Sequence, residues 1–179
     1  MRKIFALSVA AAGLCASAAF ASLEVGAKVD GFTAQASLGG NQFEFSLDKA
    51  LKNGPVVLYF YPAAFTKGCT IEAHEFAEAT AKFKNLHATV IGVSHDTIDT
   101  LDKFSVSECR SKFAVVADPD QKIIKAFDAV LKQKPEYADR TSYVIAPNHR
   151  VLFVYTDLNP DKHVELTMAA VKKWRLENP

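Results

Sequence analysis

The sequence predicts a single α/β domain in which a mixed β-sheet is covered by helices on both faces. Three observations predict it. The runs Val56-Val57-Leu58-Tyr59-Phe60-Tyr61 and Thr89-Val90-Ile91-Gly92-Val93 lack polar alternation, the pattern of strands buried on both sides. Apolar residues at helical spacing lie between and after these runs, so strand, helix and strand follow one another as parallel βαβ units. Towards each end, two short strand-like runs flank a turn, which adds antiparallel hairpins to the parallel centre.

In chain order, residues 32–38 and 43–47 read as a hairpin around Gly39-Gly40-Asn41. Residues 46–52 make a short polar helix that Asn53-Gly54-Pro55 ends, and the strand at 56–61 stops at Pro62. A helix over 69–84 places Ile71, Phe76, Ala79 or Thr80, and Phe83 on one side. After the strand at 89–93, a helix over 97–109 carries Ile98, Leu101 and Phe104 at helical spacing. A short strand at 113–117, the turn Asp118-Pro119-Asp120 and a short helix over 121–127 follow. Strands at 142–146 and 151–155 flank the loop Pro147-Asn148-His149-Arg150, and a last helix spans 161–176. No repeat, low-complexity tract or linker divides the chain, so residues 22–179 are expected to form one domain.

Residues 1–21 read differently. Arg2 and Lys3 precede an apolar run at 4–12, and Ala19-Phe20-Ala21 makes a small-x-small site before Ser22. The run is short for a bilayer span and lacks the polar face of a surface helix, so it reads as a cleavable secretory signal peptide. Leu14 before Cys15 argues against a lipoprotein anchor, which wants a small residue there. Removing this segment takes away two basic residues and no acidic one, turning the formal charge of +1 to near −1. That balance gives no electrostatic case for nucleic acid. The mature protein is expected to be a soluble monomer, periplasmic or secreted, with no stable membrane insertion. Only Cys69 and Cys109 then remain, enough for one disulfide in an oxidising compartment.

Cys69 sits just past the aromatic strand, within Pro62-Ala63-Ala64-Phe65-Thr66-Lys67-Gly68-Cys69-Thr70-Ile71-Glu72, at the first turn of a helix. Unpaired backbone N–H groups and the helix dipole favour an anion there, and the thiolate is the reactive form of cysteine. Thr66 is placed to turn its hydroxyl towards the sulfur. Pro62 and the aromatic residues limit water. Composition alone leaves a reactive thiol and a small buried hydrophobe equally open.

The spacing Pro62-x-x-x-Thr66-x-x-Cys69 resembles the active-site signature of the peroxiredoxins, and Gly68-Cys69-Thr70-x-Glu72 is similar to their peroxiredoxin Q or bacterioferritin-comigratory-protein branch. The similarity extends to the Gly-Gly-Asn turn, Ile91-Gly92-Val93-Ser94 with Asp96, residues 113–120, and Arg140-Thr141-Ser142-Tyr143-Val144-Ile145. The resemblance implies a thioredoxin-like fold and reduction of hydrogen peroxide or organic hydroperoxides without metal or organic cofactor. It further implies that Pro62 shields Cys69, Thr66 binds the substrate oxygens and Arg140 completes the pocket. Arg140 would stabilise both the thiolate and the charge developing on the leaving oxygen. Glu72 either orients Arg140 or simply favours the helix start.

One departure matters. His74 stands where many members of that branch carry a resolving cysteine, which leaves Cys109, near a helix end, as the internal partner. Cys109 either resolves Cys69 as a disulfide, through unwinding of that helix end, or merely packs. The reductant is expected to be a thioredoxin-like protein or a small thiol. Three other functions compete, one of them a structural or binding domain whose Cys69–Cys109 disulfide never turns over. An exported thiol-disulfide oxidoreductase needs a Cys-x-x-Cys pair, and Thr70-Ile71-Glu72 follows Cys69 instead. A thioredoxin-like copper-delivery protein would use His74 or His163, without two soft ligands nearby.

Overall fold

The structure is a computed structural model and describes residues 22–179. The expected signal peptide at 1–21, with Cys15, lies outside the described residues. Strands β1 (Thr33–Leu38) and β2 (Asn41–Ser46) form the N-terminal hairpin, paired antiparallel from Thr33↔Ser46 to Leu38↔Asn41. Its turn is Gly39-Gly40 alone, at φ 57° and 79°, the left-handed backbone that a two-residue hairpin turn needs and glycine adopts without strain. Asn41, read as part of the turn, opens β2 instead. The hairpin runs directly into α1 (Leu47–Leu51), capped by Ser46, whose Oγ accepts from the Lys49 amide at 3.3 Å.

The centre is two crossovers: β3 (Val56–Phe60), α2 (Lys67–Asn85), β4 (Thr89–Ser94), α3 (Ile98–Ser107) and β5 (Ala114–Ala117), with α4 (Lys122–Ala126) following. Then come β6 (Thr141–Ile145), β7 (Val151–Thr156) and α5 (His163–Glu177), which a 3₁₀ turn at Pro160–Lys162 leads into. The seven strands make one mixed sheet in the order β2-β1-β5-β4-β3-β6-β7. β3 pairs parallel with β4 and antiparallel with β6.

The unbroken apolar character of β3 follows from its place, since both of its faces are core. Val56, Leu58 and Phe60 pack with Leu47, Leu51, Ile123, Ile124 and Phe127, on the side of α1 and α4. Val57, Tyr59 and Tyr61 pack with Phe76, Phe83, Leu101, Phe104, Met168 and Val171, on the side of α2, α3 and α5. Tyr59 stacks on Phe76 and Tyr61 on Phe104, with centroids 4.4 and 5.5 Å apart.

Some expected boundaries shift. α2 starts two residues before Cys69, and its buried stripe is Cys69, Glu72, Ala73, Phe76, Ala77, Ala79, Thr80 and Phe83. Ile71 is exposed instead, because five residues separate it from Phe76 and helical neighbours on one face lie three or four apart. α3 ends at Ser107, so Cys109 lies just beyond it. The second hairpin starts at Thr141, and its loop occupies 146–150, closed by Ala146 N–H on the Arg150 carbonyl at 2.9 Å. No helix among the described residues is long and apolar enough to cross a membrane.

Candidate active site

Sheet register brings the separated site residues together. β3 leaves the sheet at Phe60 and continues through Pro62 to the start of α2, while β6, running the opposite way, begins with Thr141 beside Phe60. Arg140, immediately before Thr141, therefore emerges at the sheet edge that launches Cys69. Cys69 is the third residue of α2 and only 1% exposed. The amides of a first helical turn lack intrahelical acceptors, so the sulfur sits in a field that favours negative charge.

Arg140 is also buried, and its guanidinium makes three contacts. Nη2 donates to Cys69 Sγ at 3.5 Å, Nη1 to Glu72 Oε2, and Nε to the Leu158 carbonyl at 2.9 Å. Gly68 leaves room for this fork, since a Cβ there would stand 2.9 Å from Nη2. Burial opposes the charge of Arg140, but Glu72 and Cys69 together outweigh it and hold the guanidinium charged. Of the two readings of Glu72, orienting Arg140 is the one the contacts show. Glu72 is fully buried, one helical turn from Cys69.

Burial pushes the Glu72 carboxyl up to about 8, against the pull of Arg140. The guanidinium is shared between the two groups, with Nη1 on Glu72 and Nη2 on the sulfur. The other Glu72 oxygen, Oε1, has no hydrogen-bond partner and lies 3.6 Å from His163 Nδ1. His163 is itself fully buried, and burial lowers its pKa. The neutral ring is therefore fixed by two bonds: Nε2–H donates to the Asp157 carbonyl at 2.9 Å, and Nδ1 accepts from Ser142 Oγ at 2.8 Å.

A pH effect on stability follows from Glu72. Its folded pKa lies above the ordinary 4.5, so the folded state keeps a proton that the unfolded chain releases, and stability falls as pH rises from 4.5 towards 8. Glu72→Gln keeps the shape without the titration. Thermal melts should show a smaller fall in Tm between pH 5 and pH 8 for the variant than for the parent. Parallel curves would show that Glu72 is not the titrating group.

The loop before Cys69 differs from expectation at Thr66. Its hydroxyl donates to the Ala63 carbonyl at 3.0 Å, and the residue is exposed. It closes the loop on itself rather than turning to the sulfur, and as the N-cap of α2 it makes no side-chain bond to the helix amides. Phe65 beside it has φ 65°, an uncommon conformation for a bulky residue, and its ring meets Phe104 edge-on at 5.3 Å. Pro62 lies at the strand end, where its carbonyl accepts from His95 Nδ1 at 3.0 Å. Asp96 Oδ2 accepts from the Ala64 amide at 2.8 Å and from Ser94 Oγ at 2.7 Å, fixing the same loop.

Cys109 is fully buried and not bonded to Cys69. Both belong to the apolar cluster on the α2 side of the sheet. Burial, and then the Glu108 charge, push the Cys109 thiol far up, so in place it is inert as a nucleophile. The histidines a copper-delivery reading would use are engaged elsewhere: His163 as described, and His74 with Glu108 at 2.9 Å.

Several supporting residues escaped the sequence reading. Ser142 and Asp157 hold His163, and Leu158 offers Arg140 only a backbone carbonyl, which no side-chain pattern signals. Ser94 and Asp96 carry part of the resemblance, but their hold on the loop before Cys69, and that of His95 on Pro62, follows from their place at the end of β4, beside the edge where that loop begins.

A buried cysteine at a helix start, with a charged guanidinium on its sulfur and a carboxyl behind that guanidinium, defines a thiol enzyme on a thioredoxin-like sheet. Comparison with known proteins identifies the kind. The pattern of the AhpC/TSA family matches residues 25–154, and the chain belongs to that family. It is similar to peroxiredoxin Bcp of Xanthomonas campestris, 30% identical over 65% of this chain and 76% of the relative. It is 34% identical to chloroplastic peroxiredoxin Q of Sedum lineare over 69% of this chain and 66% of the relative. Among solved structures, peroxidoxin BcpB from Mycobacterium tuberculosis superposes with a TM-score of 0.77 at 28% identity, covering 84% of this chain and 97% of the other. A cysteine-to-serine mutant of PrxQ from Xylella fastidiosa gives 0.77 at 27% identity, over 86% and 98%. The fold is thus the thioredoxin-like one of the peroxiredoxins, and membership carries thiol-dependent peroxidase activity.

Proposed function

We propose that the chain is an exported hydroperoxide reductase in which Cys69 attacks the peroxide and Cys109 resolves the product. The observation that carries the first half is Arg140 Nη2 at 3.5 Å from the buried Cys69 sulfur. The thiolate attacks the terminal peroxide oxygen: an S–O bond forms as the O–O bond breaks, and the alkoxide or hydroxide is displaced and takes up a proton to leave as alcohol or water. Arg140 lies where it stabilises the thiolate beforehand and the leaving oxygen during displacement. The resulting Cys69 sulfenic acid then meets the Cys109 thiol, water leaves, and a Cys69–Cys109 disulfide remains.

A thioredoxin-like protein or a small thiol returns the two electrons. Hydrogen peroxide and organic hydroperoxides are the substrates. The protein works as a periplasmic or secreted monomer, the signal at 1–21 being removed, and neither nucleic acid nor a membrane is a partner. Pro62 and Thr66 border the site, Thr66 reaching a substrate oxygen once its bond to Ala63 opens.

The reduced protein should lose both thiols on reaction with one equivalent of hydrogen peroxide, and its mass should then fall by two hydrogens as one intramolecular disulfide forms. Slow loss of thiols, or a disulfide that resists reductant, would replace the peroxidase reading with a structural one.

A further inference from the structure

Cys109 lies on a segment tied to α2 from both sides. Glu108 Oε2 accepts from His74 Nε2 at 2.9 Å, and Arg110 Nη1 donates to Glu78 Oε1 at 3.0 Å. His74 and Glu78 are four residues apart, one turn along the same stripe of α2. The two pairs therefore bracket Cys109, one attached to the residue before it and one to the residue after.

The end of α3 is closed as well as tied. The Cys109 amide donates to the Phe104 carbonyl at 3.1 Å and the Ser111 amide to the Ser105 carbonyl at 2.9 Å. Arg110 and Ser111 close it in left-handed backbone, at φ 49° and 54°, a conformation that side chains with a Cβ hold at a cost. Strain at this end favours opening, and the two pairs oppose it.

Cys109 cannot act where it stands. Its side chain is sealed in the core, and Cys69 is buried too, so a disulfide requires a segment to move. Lifting residues 108–111 away from α2 exposes the thiol, and both pairs must break for that to happen. Neither pair touches Cys69, Arg140 or Glu72.

We propose that the His74–Glu108 and Glu78–Arg110 pairs form a latch over Cys109, and that His74 and Glu78 act as positioning residues whose hold on residues 108–111 sets the rate of disulfide formation. The proposal rests on the reading that Cys109 resolves Cys69. The step is balanced as written above: the S–O bond of the sulfenic acid breaks, the S–S bond forms, and the hydroxyl leaves as water with the Cys109 proton. A tight latch prolongs the sulfenic acid, and excess peroxide then converts more of it to sulfinic acid.

The test uses Glu78→Gln, His74→Leu and the double variant, mixed rapidly with hydrogen peroxide, with peroxide consumption and disulfide mass followed separately. Half-exposed pairs each contribute modestly, so the double variant should form the disulfide about threefold to tenfold faster, with peroxide consumption unchanged and less sulfinic acid at excess peroxide. The charge exchange Glu78→Arg with Arg110→Glu should return disulfide formation to the parental rate, which a merely structural role would not predict. Disulfide formation that is unchanged or slower in the double variant would overturn the latch. If the parent itself forms no Cys69–Cys109 disulfide, the resolving role of Cys109 fails first, and the latch fails with it.

Discussion

Arg140→Ala should slow peroxide consumption by about tenfold to a thousandfold, the range expected when one electrostatic contact to a transition state is deleted. The cause is local. The guanidinium reaches the Cys69 sulfur with Nη2 while Nη1 and Nε are pinned by Glu72 and the Leu158 carbonyl, so the charge is aimed before substrate arrives. Arg140→Lys should recover only part of the loss, because one ammonium cannot keep three fixed directions. Both variants should keep the fold, Arg140→Ala at a lower Tm because the buried Glu72 carboxyl loses its partner. Stopped-flow mixing with peroxide, beside circular dichroism of each variant, separates chemistry from folding. Consumption at the parental rate by Arg140→Ala would mean that another cation or none completes the pocket.

The β-sheet was largely legible because its signals are local. Unbroken apolar runs marked β3 and β4 as strands buried on both faces, and glycine marked the first turn. What escaped the sequence was mostly face and phase. Ile71 reads as core because it is apolar, although its spacing of five from Phe76 puts it on another face; the true stripe runs through Cys69, Glu72, Ala73 and Phe76. A polar Glu72 in that stripe cannot be recognised as buried until Arg140 is known to meet it.

The site divides in the same way. Cys69, Pro62 and Thr66 share one segment and were visible as a spacing, while Arg140 came from resemblance and is justified physically only by the β3–β6 register. The direction of the Thr66 hydroxyl depends on its bond to Ala63, which spacing does not contain. His163 reads as a candidate metal ligand because a sequence does not show burial. In the fold it stands behind Glu72, with both ring nitrogens engaged.

Cys109→Ser should separate the two halves of the reaction most sharply. The first half needs only Cys69 and its neighbours, so the variant should consume one equivalent of peroxide at nearly the parental rate. The sulfenic acid then has no internal thiol to meet, and further peroxide drives it to the irreversible sulfinic acid. Intact mass should show a gain of one oxygen and then two on Cys69. With a dithiol protein as reductant, turnover should stall after the first cycle, because such a reductant attacks a disulfide that never forms. Cys69→Ser should not react at all, since the buried Cys109 thiol, pushed far up by desolvation, does not replace it. The outcome that would sink the two-cysteine cycle is sustained turnover by Cys109→Ser with the same protein reductant. In that event an outside thiol resolves the sulfenic acid directly, and Cys109 serves only to fill the core between α2 and α3.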